Sequence, residues 1–164
     1  MAVALPPLQE LNALDTADFA GALSRLFEDA PPLFERLAAR RPFRSYRELL
    51  ASARVVALAM SEAEQARLLA SHPRIGAPTA RLSEASRREQ GGAASAEVER
   101  ELARLQDEYE RRFGFRFVVF VDRRSRAEVL EELRERLSRT RDDELVAGVE
   151  AFLTIAADRL RGLR

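Results

Sequence analysis

Only one stretch of this chain has the pattern of a β-strand. Residues 115–121, FRFVVFV, alternate or run apolar, and a lone strand has nothing to pair with. The chain is therefore expected to be all-α, with 115–121 either a buried extended stretch or the start of a helix. The rest repeats apolar residues at three- and four-residue spacing. The clearest case is SAEVERELARLQDEYERRFG. Ser95 is placed to cap it, Val98, Leu102, Leu105 and Tyr109 form a stripe, and Gly114 stops it.

The same signals divide the remainder. The first residues look irregular and end at LPP. Asp15 or Thr16 opens a helix carrying Phe19, Leu23, Leu26 and Phe27, and PPLFERLAARRPF begins at prolines and must stop before Pro42. Ser45 caps a helix with Tyr46, Leu49, Leu50, Ala53 and Ala57 on one face. Ser61 with Glu64 and Ser125 with Glu128 read as capping boxes, the first helix closing at Pro73. Residues 74–82 read as loop, a short helix from Ser83 ends at Gly91-Gly92, and the last helix runs from about 141 to 162. There are no internal repeats or linkers. The expectation is a compact single-domain bundle of seven to eight helices across 1–164, with little or no β structure. At 164 residues it buries roughly two thirds of its unfolded surface.

Composition removes several functions. The formal charge is zero, which gives no broad basic field for nucleic acid or an anionic membrane. All 27 basic residues are Arg, so a single Arg carries less functional weight than usual. Cys is absent, which excludes disulfides, thiolate nucleophiles and zinc–thiolate sites. With one His, a multi-histidine metal site within one chain is excluded as well. No apolar window reaches membrane-spanning length, and MAVALPPLQE has neither the basic segment nor the apolar core of a signal peptide. RGLR is not a peroxisomal address, so the expected location is the cytoplasm.

Four features stand out. His72, in SHPRIGAP, sits where a helix ends before a proline; it suits acid/base work near neutral pH, or a favourable contact with the helix dipole. Ser86, Glu89 and Gln90 are three and four apart, so they share a helix face, either functional or merely solvated. Arg159 takes the slot where the series Leu145, Val149, Phe152, Ala156 calls for a core residue; it needs a buried partner or it snorkels at the surface. Aromatics at 109, 113, 115 and 117 build an apolar wall, and an extended 117–120 backbone would offer donors and acceptors to a flat polar ligand.

Taken in order, these blocks resemble the 2-oxo-4-hydroxy-4-carboxy-5-ureidoimidazoline (OHCU) decarboxylases of urate breakdown. The family's His-Pro, apolar residue and Gly are matched by HPRIG. Its Ser-x-x-Glu-Gln is matched by Ser86, Glu89 and Gln90, its Tyr-x-x-basic-Phe-Gly-Phe-x-Phe by Tyr109 to Phe117, and its Ile-Ala-x-x-Arg-Leu by Ile155 to Leu160. FEDAPPLFERLAARRPF resembles the family's start, so the match spans about 8–163. Arg74 stands where members often have Asp, Gln106 where many have Asn, and GGAASA where an Ala-Gly-Leu run is common.

The resemblance implies a compact all-α homodimer that decarboxylates OHCU to (S)-allantoin and carbon dioxide, with no cofactor and no metal. It makes His72 and Glu89 the expected catalytic residues. Pro73, Ser86, Gln90, Arg159 and the backbone of Phe117, Val118 and Val119 would surround the substrate. In this reading His72 removes the hydroxyl proton or relays a proton to the developing carbanion. Glu89 orients it, contacts the substrate or shares that transfer. Two rivals are a non-enzymatic helical interaction module and a lyase or hydrolase acting on a related ureide. The first would leave His72, Glu89 and Arg159 pointing apart.

Overall fold

The computed structural model describes residues 4–78, 83–89 and 94–163. In chain order the helices are α1 (Leu8–Ala13), α2 (Thr16–Phe27), α3 (Pro31–Ala38), α4 (Tyr46–Ala59), α5 (Glu62–Ala70), α6 (Glu84–Glu89), α7 (Ala96–Phe113), α8 (Arg126–Arg136) and α9 (Arg141–Leu163). Seven of these have eight or more residues, two have six, and no strand occurs among the described residues. The all-α expectation holds. So do its starts: Asp15, Ser45, Ser61, Ser95 and Ser125 each accept a hydrogen bond from a first-turn N–H, Ser61 and Ser125 in full capping boxes.

The element that sequence reasoning left out is α1. It follows Pro7 directly and has no side-chain cap. Tertiary contacts hold it instead. Leu11 is fully buried, and the Asn12 amide donates to the Phe43 carbonyl (2.8 Å) and accepts from its N–H (2.9 Å).

Helix α9 is the centre of the molecule, packing against α2, α4 and α5. Leu145, Val149, Phe152 and Ala156 are all buried along it, as their spacing requires. Phe152 stacks on Phe27 of α2 with ring centroids 5.8 Å apart. Gly148 brings α5 close: a Cβ there would lie 2.8 Å from Leu69 Cδ1. Helices α7 and α8 form a second pair. Gly114 takes φ 81° after α7, a left-handed conformation that favours glycine, and releases the chain into residues 115–121.

That segment has no regular secondary structure and pairs with no strand among the described residues, with Phe115, Phe117, Val118, Val119 and Val121 buried among helices. Tyr109 packs against Phe113, Phe115 and Phe117. A buried polar network supports the segment from behind. Tyr109 Oη and Arg136 Nε each donate to Glu144 Oε1 at 2.7 Å, and Arg136 Nη1 donates to the Val118 carbonyl at 2.9 Å. The Arg136 guanidinium also lies over the Phe117 ring. Side chains take three carbonyls of this stretch: Arg136 that of Val118, and Arg124 those of Phe120 and Val121. Among the described residues, no helix is long and apolar enough to cross a membrane.

Candidate active site

His72 follows α5, whose last residue is Ala70. Two side chains from the second half of the chain fix this loop. Arg116 Nη1 donates to the carbonyls of His72 (2.7 Å) and Ala70 (3.0 Å). The Gln106 amide accepts from Ile75 N–H (3.0 Å) and donates to Ile75 O (2.9 Å). Arg116, between Phe115 and Phe117, and Gln106, at the departure position, therefore both hold the His72 loop.

The imidazole itself is buried, 5% exposed, and stands edge-on to Phe152 at 5.1 Å. Its Nε2 has no hydrogen-bond partner among the described residues. Burial disfavours its charged form, the nearby Arg159 and Arg116 cations add to this, and the Glu28 anion opposes it; the pKa falls to about 3. The ring is neutral at pH 7.

Arg159 does not snorkel. Its guanidinium is buried and meets two carboxylates. Nε and Nη2 grip Glu89 at 2.5 and 2.9 Å, a bidentate pair, while Nη2 also donates to Glu28 Oε1 (2.9 Å) and Ser86 Oγ (3.2 Å). Burial alone would weaken the cation, but Glu89 and Glu28 outweigh it and keep it more firmly protonated than an ordinary Arg.

Glu28 is the member that sequence reasoning missed. It follows α2 at φ 57°, ψ −147°, at the margin of a region that is essentially glycine-only. Its Oε1 accepts from Ser83 Oγ (2.8 Å), Ser86 Oγ (2.7 Å) and Arg159. Burial pushes its pKa up, but Arg159 and the two hydroxyls more than compensate and hold it below the usual carboxylate range. Its signal was slight. Glu28 sits in the family-like block FEDAPP, between a helix end and two prolines, where no periodicity singles out one residue.

Two clefts meet at this cluster. One of about 780 Å³ is lined by Glu89, Val119, Arg123, Ile155, Asp158 and Arg159 among others. One of about 510 Å³ is lined by Glu28, Pro73, Ile75, Ser83, Gln106 and Arg116 among others. The ion pair of Glu28 and Arg159 joins their walls. Of the expected residues, Ser86, Glu89 and Arg159 come together, and His72 lies within electrostatic reach of Arg159 and Glu28. The described contacts of Glu89 run to Arg159 rather than to His72. Val119 lines the larger cleft and Pro73 the smaller one; Phe117 and Val118 are buried, and the Val118 carbonyl is already taken by Arg136. Gln90 and the Gly91-Gly92 helix stop lie outside the described residues. Among the described residues no three His, Cys, Asp or Glu side chains are grouped as metal ligands would be.

A neutral buried imidazole beside a fixed guanidinium and two carboxylates can accept a proton, hold an anion and stabilise developing charge. Known proteins resemble the chain along nearly its whole length. The OHCU decarboxylase family model matches residues 12–161. A 2-oxo-4-hydroxy-4-carboxy-5-ureidoimidazoline decarboxylase of Haloferax volcanii is 31% identical over 157 residues, 93% of each chain. The uric acid degradation bifunctional protein PucL of Bacillus subtilis is also 31% identical over 157 residues, which are 93% of this chain and 32% of that protein. The crystal structure of an OHCU decarboxylase in the presence of (S)-allantoin shares the fold, with a TM-score of 0.68 at 23% identity, covering 82% of this chain and 91% of that one.

Proposed function

The chain belongs to the OHCU decarboxylase family, and on that premise we propose that it converts 2-oxo-4-hydroxy-4-carboxy-5-ureidoimidazoline to (S)-allantoin and carbon dioxide without a cofactor. The observation that carries the catalytic reading is the convergence of Ser86, Glu89 and Arg159, within electrostatic reach of a His72 imidazole whose Nε2 is unpartnered among the described residues, from three separate segments. An interaction module needs no such convergence.

The substrate carries a carboxylate and a hydroxyl on one ring carbon. When the bond to the carboxylate breaks, its electron pair passes into the ring, and a proton must arrive on one ring face. The neutral His72 imidazole, with Nε2 unpartnered, takes the hydroxyl proton or passes one to the ring. Arg159 holds the substrate carboxylate or a carbonyl with its planar fork. To do so it loosens one of its present carboxylates. Glu89, which lines the larger cleft, is the one that turns toward the substrate hydroxyl or N–H groups. Ser86 and Gln90 bond ring or ureido groups, and the backbone near Phe117 to Val119 closes the pocket. Pro73 restricts the loop at His72. Delivery of the proton to one face sets the handedness of the product.

The test is decarboxylation of freshly generated OHCU, followed by circular dichroism of the allantoin. Turnover above the spontaneous rate with one-handed product is expected. A rate equal to spontaneous decay, with racemic product, sinks the reading. His72→Asn is expected to fold and to lose at least about a hundredfold in turnover, the scale of a lost general acid/base. The same reading includes a single-domain, cytoplasmic homodimer, for which sedimentation equilibrium checks the stoichiometry.

A further inference from the structure

Arg159 is held by two carboxylates that are anchored very differently. Glu89 belongs to the six-residue α6, lines the larger cleft, and its described bonds run to the guanidinium alone. Glu28 follows α2, at the opposite end of the chain, and its Oε1 gathers three donors: two serine hydroxyls and Arg159. Leu26 of α2 adds its carbonyl to the same guanidinium at 3.3 Å. The chain also holds Glu28 at φ 57°, a backbone conformation that costs free energy for any residue with a Cβ. Such strain persists where the surrounding structure requires that side chain in that place.

A buried guanidinium cannot release its only anion without leaving an uncompensated charge. One counter-ion must therefore stay if the other is to leave. We propose that Glu28 is a positioning residue, the permanent counter-ion of Arg159, whose presence lets Glu89 leave the guanidinium and face the substrate. The proposal rests on the decarboxylase reading above. It gives the two glutamates separate tasks: Glu28 keeps Arg159 charged and aimed, and Glu89 exchanges between Arg159 and the substrate.

The loss of Glu28 then has a distinctive kinetic form. With the second anion gone, Glu89 is bound more tightly by Arg159 and is slow to leave. One negative charge fewer in the site does not impair capture of an anionic substrate. Glu28→Gln keeps the shape and an acceptor oxygen for the serines. In this variant kcat is expected to fall at least tenfold while KM stays level or drops. A carboxylate that merely braced the fold would, when lost, raise KM and lower the melting temperature. Glu28→Gly supplies a second variant in which glycine accepts φ 57° without strain. It is expected to melt no lower than Glu28→Gln and to show the same fall in kcat.

Steady-state kinetics and thermal melting of the unaltered chain and both variants decide the matter. An unaltered chain that accelerates decarboxylation, with variants that lose kcat at constant or lower KM, supports the proposal. Activity retained in Glu28→Gln, or a loss that appears only in KM, overturns this proposal and leaves the decarboxylase reading intact. No acceleration by the unaltered chain overturns that reading, and the proposal falls with it.

Discussion

At the scale of the residue, His72 offers an unusually clean observation, because the chain has no other histidine. Its folded pKa of about 3 lies below the ordinary value of 6.5. Between those two values the unfolded chain binds the proton and the folded one does not, so this group removes stability as pH falls through that window. The imidazole carbon and nitrogen signals in NMR spectra are therefore expected to show a neutral ring with no titration step from pH 8 to 5. A midpoint near 6.5 would count against the buried, neutral ring. Arg159→Lys keeps the charge and loses the planar fork that grips Glu89 through two bonds. Weaker substrate binding is expected, seen as a rise in KM, and unchanged kinetics would remove the bidentate role. Arg159 was legible in sequence because it broke an apolar series, and Ser86 and Glu89 because their spacing placed them on one face. Glu28 was not, since its position depends on a positive φ and on long-range bonds to Ser83, Ser86 and Arg159 that leave no periodic trace.

At the scale of the element, helix starts were readable because the capping side chain acts on a backbone N–H only three residues away. Helix α1 was not, because its stability comes from Leu11 in the core and from the Asn12 clamp on Phe43, more than thirty residues distant in the chain. Register between elements is equally non-local. Gly148 lets α9 approach α5, and Leu69, whose side chain a Cβ would meet at 2.8 Å, is fully buried. Gly148→Ala adds helix propensity but crowds this contact. A net loss of about 1–2 kcal/mol is expected by denaturant melts, within the usual cost of overpacking. Leu69 lies three residues before His72, so a fall in turnover is expected alongside it. A variant as stable and as active as the parent would show that α5 can shift without consequence.

At the scale of the whole molecule, the charged groups in the interior tie the elements into one unit. Glu144 lies in the first turn of α9, Tyr109 comes from α7 and Arg136 from α8, and the three meet with Glu144 and Tyr109 fully buried. Burial pushes the Tyr109 hydroxyl well above its usual pKa, so it remains a donor to Glu144. Without Glu144, the buried Arg136 keeps only the longer, part-exposed contact to Glu132 at 3.7 Å. Glu144→Gln is accordingly expected to cost about 3–5 kcal/mol, measured by urea unfolding. A loss under 1 kcal/mol would mean that Glu132 suffices to compensate Arg136.

The non-helical segment held by this network has a consequence outside catalysis. FRFVVFV has high β-propensity, carries one charge and contains no proline, the composition of a stretch that pairs with copies of itself into cross-β fibrils. In the folded chain that pairing is blocked: its side chains are sunk among helices, and Arg136 occupies the Val118 carbonyl that a neighbouring strand would use. The pair of Arg136 and Glu144 thus acts as a guard against self-association, and any change that frees residues 115–121 hands the molecule a sticky edge before it has otherwise unfolded.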